Sequence, residues 1–182
     1  MRSLRYLTVV SLTVGTLGTL ALTGCATMTA GSYGDRRVDF AQFRTWDWGP
    51  PDALPTGDPR LDANPFFEDH FEGAVERQFA RKGFGRVSEN PDLVVHYHAN
   101  ITQRLEVHGV EGNCTSESDC QPRASEYDSG TLVLDFVDPR TNKVVWRGWS
   151  QDVMNGVISN QDRLEVHVNE AVRRIFEGVP GT

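Results

Sequence analysis

The sequence contains no GxSxG, HExxH or P-loop pattern. Those patterns set a nucleophile, a zinc pair or a phosphate cradle in a fixed geometry. Without them no reaction class is specified. Acids are plentiful, but their number alone does not define an acid/base pair, and the expectation is a protein that is not an enzyme. Basic residues are in deficit, with 18 Lys and Arg against 25 Asp and Glu and a formal charge of −7. Nucleic acid requires a basic face, so no nucleic-acid partner is expected. The same balance disfavours peripheral adsorption to anionic lipid, and its simplest consequence is solubility. The chain has no internal repeat and no low-complexity tract, and its length suits one domain with a real core.

Only three cysteines occur, and the first, Cys25, closes an unusual leader. Met1 to Arg5 carries Arg2 and Arg5 and no acid; Tyr6 to Leu22 is apolar, diluted by Thr and Gly; Thr23 and Gly24 are small. A positive start, an apolar middle and a small-residue end are the layout of a secretory signal. A membrane span wants about 20 predominantly apolar residues, so an uncleaved anchor is the weaker reading. Leu22-Thr23-Gly24-Cys25 resembles the lipobox of bacterial lipoproteins. That resemblance implies cleavage after residue 24, diacylglycerol on the Cys25 thiol and an acylated amino group. Each buried acyl methylene contributes about 0.8 kcal/mol, so three chains would hold almost permanently. By the same resemblance, Ala26 after the cysteine, rather than Asp, implies transport to the outer membrane and its periplasmic face. The mature chain keeps 16 basic residues against 25 acidic, a formal charge of −9.

Cys114 and Cys120 remain as an even pair in an oxidising compartment, within a Gly/Asn/Ser/Pro-rich segment. A local disulfide is expected, contributing about 2 kcal/mol on the chain-entropy model. A zinc site using both thiolates and His108 is the sharper alternative. Structural zinc motifs space their cysteines more tightly, and no second pair exists.

Three regions follow: a signal peptide at 1–24, the lipidated cysteine and a flexible tether at 25–36, and a single domain at 37–180. Val38 to Trp48 reads as a strand that can break near Ala41-Gln42, and Pro50 to Asp62 as a loop. Asn64-Pro65 opens a helix with the stripe Phe67, Phe71, Ala74, Val75 and Phe79, closed by Gly83. Leu93 to His108 is a strand, with Leu93, Val95, Tyr97, Ala99 and Ile101 on the core face and Val94, His96, His98 and Asn100 outside. A hairpin turns at "DPRTNK" and returns through Val144 to Val153. A last helix runs from about Gln161 to Glu177, capped by Asn160 or Ser159. This order predicts an α+β two-layer sandwich, a mainly antiparallel sheet with two helices packed on one face.

Four blocks in order carry a wider resemblance: "DFAQFRTWDW", "RKGFGRVSENPDLVVHYH", "YDSGTLVLDFVDPRTNKVVWRGWS" and "AVRRIFEGVP". Together, over about residues 37–180, they resemble the bacterial lipoproteins of domain-of-unknown-function family 4136. The resemblance implies an envelope lipoprotein with a compact α+β domain, and carries over no catalytic residues.

Two constellations remain as a candidate binding surface. His96 and His98 share a strand face and could bind metal if His108 or an acid completed the set. A solvated sheet face explains them equally, so no resident metal or cofactor is expected. Trp46, Trp48, Trp146 and Trp149 form the second cluster. Trp146 and Trp149 have opposite strand parity, so one should face the helices and the other outward. Outward tryptophans mark binding surfaces. Arg147 could take an anion or pair with Asp135 across the hairpin. Two functions follow. One is a structural or interaction module, held to the membrane by its lipid and contacting another cell-envelope protein. The other is a periplasmic module binding a small ligand or metal through His96 and His98.

Overall fold

A computed structural model describes residues 28–50, 56, 58–108 and 123–181. The signal segment, Cys25 and the Cys114–Cys120 pair lie outside the described residues. The architecture is α+β: six strands in one mixed sheet with three helices. The strands are β1 (Thr29–Gly34), β2 (Thr45–Trp48), β3 (Gly85–Arg86), β4 (Leu93–His108), β5 (Arg123–Asp138) and β6 (Lys143–Val153). The helices are α1 (Pro59–Asp62), α2 (Phe67–Arg81) and α3 (Gln161–Glu177). The sheet order is β1-β6-β5-β4-β2-β3.

Pairings from β1 through β4 are antiparallel, while β2 runs parallel to both β4 and β3. The parallel edge departs from the expected antiparallel pattern, and its cause is connectivity. Parallel neighbours need a long crossover, and α1 and α2 supply it between β2 and β3.

Residues 29–34, expected in the tether, instead form edge strand β1, with Thr29 opposite Gln151 and Gly34 opposite Trp146. Met28 ahead of it is buried in the core. Arg174 Nη1 donates to its carbonyl at 2.6 Å. The small residues of β1 have low strand propensity; the open edge of β6 supplies the hydrogen bonds that hold them extended.

The break near Ala41-Gln42 is a 3-10 turn, Phe40–Gln42, capped by the Asp39 carboxylate, which accepts from Ala41 N. Asn64 does not cap α2 itself. Its Oδ1 accepts from Phe66 N at 3.0 Å, and the helix begins at Phe67. Gly83, with φ of 85°, closes the C-terminal end of α2. Within the stretch expected as loop, Asp58 caps the single turn α1. Asn160 caps α3, its Oδ1 accepting from Arg163 N at 2.9 Å.

The core gathers the apolar stripes of α2 and α3 and the inward residues of the strands into one cluster. Phe71, Val75, Phe79, Leu164, Val172, Ile175 and Phe176 meet Trp46, Leu93, Val95, Leu134, Phe136 and Trp146. Trp46 and Phe79 stack with centroids 4.1 Å apart. Burying a large side chain stabilises by about 1.5–3 kcal/mol, so this aromatic cluster dominates the packing.

Candidate functional site

The antiparallel register sets two rows across the outward face. One runs Tyr33, Arg147, Asp135, His96 and the next Gly31, Trp149, Val133, His98. Four of the five candidate residues therefore share one surface. Trp146 does not. It is buried, its ring centroid 4.5 Å from that of Phe136, and its Nε1 donates to Gly178 O at 3.2 Å. The opposite parity of Trp146 and Trp149 is thus realised, with Trp149 40% exposed.

Glycine shapes this face twice. A Cβ on Gly31 would lie 2.9 Å from Trp149 Cζ2, and one on Gly49 would lie 2.3 Å from His96 Cε1. Trp149 lies over the β1 backbone and His96 over the residue following β2. Each ring lies close against a glycine backbone, where any larger residue would meet it.

The charges on the face answer one another. Arg147 Nε donates to Asp135 Oδ1 at 2.5 Å and Nη2 to Oδ2 at 2.6 Å. Asp135 is only 5% exposed, whereas the Arg147 side chain is 53% exposed. The Asp135 hydrogen bonds raise the Arg147 pKa above its ordinary value. The carboxylate is satisfied and the guanidinium plane remains available for stacking.

The histidine pair is less complete as a ligand set. His108 lies on β4 ten residues beyond His98, about 33 Å along an extended strand, and its Nε2 sits 3.2 Å from Ser125 Oγ. It cannot join His96 and His98. Among the described residues, no group of three His, Cys, Asp or Glu side chains could hold a metal ion.

Sequence reasoning missed Tyr33, 79% exposed at the end of the first row, because its segment reads as a tether. It also missed His167 on α3, whose Nδ1 lies 3.0 Å from Asp152 Oδ2 on β6. That pair borders an apolar cavity of about 50 Å³ lined by Met28, Leu61, Phe67, Leu132, Leu164 and Val168. Ligand pockets span roughly 300–1,000 Å³, so this is a packing gap. No helix among the described residues is long and apolar enough to cross a membrane.

No curated protein matched the sequence. Solved structures with a similar fold include a PDZ domain protein from Parabacteroides distasonis, 13% identical, with TM-score 0.52. The match covers 86% of this chain but only 36% of that one. The PelC dodecamer from Paraburkholderia phytofirmans is 9% identical over 85% of this chain and 99% of that one, with TM-score 0.49. A DUF4136 family protein from Bacteroides thetaiotaomicron is 11% identical over 79% and 93%, with TM-score 0.48. At such identities the likeness concerns the fold alone. The sequence itself matches the model described as a domain of unknown function, DUF4136, over residues 31–181, a span that begins within β1 and takes in all four sequence blocks. The chain therefore belongs to the DUF4136 family.

Proposed function

We propose that this protein is a non-enzymatic interaction module, lipid-anchored through Cys25 to the periplasmic face of the outer membrane. In this reading α2 and α3 cover one face of the sheet, and the other face docks a second envelope protein. The observation that carries it is the outer surface itself: Trp149 held over Gly31, beside Arg147, His98 and Tyr33. Aromatic and Arg side chains on a rigid sheet are the residues that anchor protein interfaces. Charges that neutralise each other within the face, as Arg147 and Asp135 do, suit recognition rather than proton transfer.

Photo-crosslinking in intact cells tests this. A photoreactive residue in place of Trp149 is expected to give one discrete protein adduct, lost when Arg147→Glu is added. The same residue at Glu165 on α3 should give none. Equal adducts from both positions, or none from Trp149, would refute the docking face. The rival reading, a ligand held by His96 and His98, predicts instead a bound mass in native mass spectrometry that His96→Ala with His98→Ala removes.

A further inference from the structure

Beyond Ile101 the same parity of β4 passes through Gln103 to Leu105 and Val107, but the core does not continue. Leu105 and Val107 share the parity of Ala99 and Ile101, yet each is 61% exposed. They stand on an arm. The β5–β6 ladder ends at Ser129 opposite Val153, and residues 103–108 of β4 continue with residues 123–128 of β5 past that row.

The direction of the arm follows from the register. β1 runs antiparallel to β6 and starts opposite Gln151, so the chain enters the sheet at the end from which the arm leaves. That entry point is pinned: Met28 is buried, Arg174 holds its carbonyl, and Glu170 Oε1 holds Arg174 Nε at 2.7 Å. Three Cα steps separate Met28 from Cys25, so Cys25 lies within about 11 Å of it.

Distances along the strand axis then decide what the arm meets. Thr29 pairs two residues short of the Ser129–Val153 row, and four residues span at most about 14 Å, so chain length alone limits Cys25 to about 7 Å past that row. Leu105 lies opposite Glu126 and Val107 opposite Ala124, about 10 Å and 17 Å past the same row. Both apolar side chains sit beyond the deepest level that Cys25 reaches, on the side where its acyl chains would begin.

We propose that the β4–β5 arm is a second membrane contact, with Leu105 and Val107 buried in the bilayer interface beside the lipid anchor. This rests on the reading of Cys25 as lipidated. One anchor alone leaves a domain free to swivel. Two contacts fix its orientation and present the outer sheet face at a constant angle and height.

The test uses the full lipidated chain, labelled with palmitate in cells and reconstituted in phosphatidylethanolamine–phosphatidylglycerol vesicles containing brominated lipid. Leu105→Trp and Val107→Trp each add emission that should be blue-shifted and quenched relative to the parent. Val144→Trp, beside the β5–β6 turn at the opposite end of the sheet, should not be quenched. Palmitate label with no quenching at 105 and 107 overturns the arm contact and leaves the anchor standing. Equal quenching at 144 also overturns it. Absence of palmitate overturns the anchor and, with it, the proposal.

Discussion

Arg147 on β6 grips Asp135 on β5 with two parallel hydrogen bonds, and the carboxylate beneath is almost fully covered. Arg147→Ala would strand that carboxylate. The expected loss is about 1–2 kcal/mol, below the value for a buried pair because the guanidinium is half exposed. Asp135→Asn with Arg147→Ala should recover part of it. Urea midpoints of the two variants check this, and an unchanged midpoint for Arg147→Ala would mean the pair contributes nothing.

Gly148 and Gly31 should respond differently to alanine. A Cβ on Gly148 would lie 2.2 Å from Trp146 Cη2 and 2.7 Å from Ile175 Cγ2, both locked in the core. Overpacking of this kind costs about 1–3 kcal/mol or more. At Gly31 the obstacle is Trp149, which is partly exposed and can swing away, so the cost should stay under about 1 kcal/mol. Thermal melts of the two variants give the comparison.

Acid should loosen the clamp at the start of β1. The Arg173 hydrogen bonds, helped by Arg174, hold the Glu170 pKa down from 4.5 to about 2. A carboxylate lowered in the folded state adds stability above its unfolded pKa and loses it as pH falls through the folded value. The stability difference between the parent and Glu170→Gln should therefore be full at pH 7 and shrink between about pH 5 and pH 2. A difference independent of pH would contradict the assignment.

The elements whose cause is local were legible in the sequence. β4 and α3 have the expected bounds, and Asn160 caps α3 as its position suggests. The opposite facing of Trp146 and Trp149 follows from their spacing of three along one strand. What was hidden depends on distant partners. β1 exists because β6 has an open edge, and β2 is parallel because a helical crossover separates it from β3 and β4. The outer face was half visible: the parities of His96 and His98 are in the sequence, but their alignment with Asp135, Arg147 and Trp149 is a matter of register. His108 looked close in sequence and is remote in space, because an extended strand carries it away.

If residues 29–34 are sheet rather than tether, shortening the chain should matter. A soluble version beginning at residue 35 loses Met28 from the core and the whole β1–β6 ladder. Compared with one beginning at residue 26, it should be less stable by about 3 kcal/mol or more and prone to association through the uncovered β6 edge. Matching urea midpoints would show that the segment is dispensable.

Attachment at Cys25 underlies both the cellular location and the orientation proposed here, so the intact mass of the protein extracted from cell membranes is the most direct measurement. The expected species begins at Cys25, lacks residues 1–24, carries three acyl chains, and is two hydrogens lighter than the reduced form through a Cys114–Cys120 bridge. A chain that retains residues 1–24, or one with an unmodified Cys25, would contradict the lipid anchor.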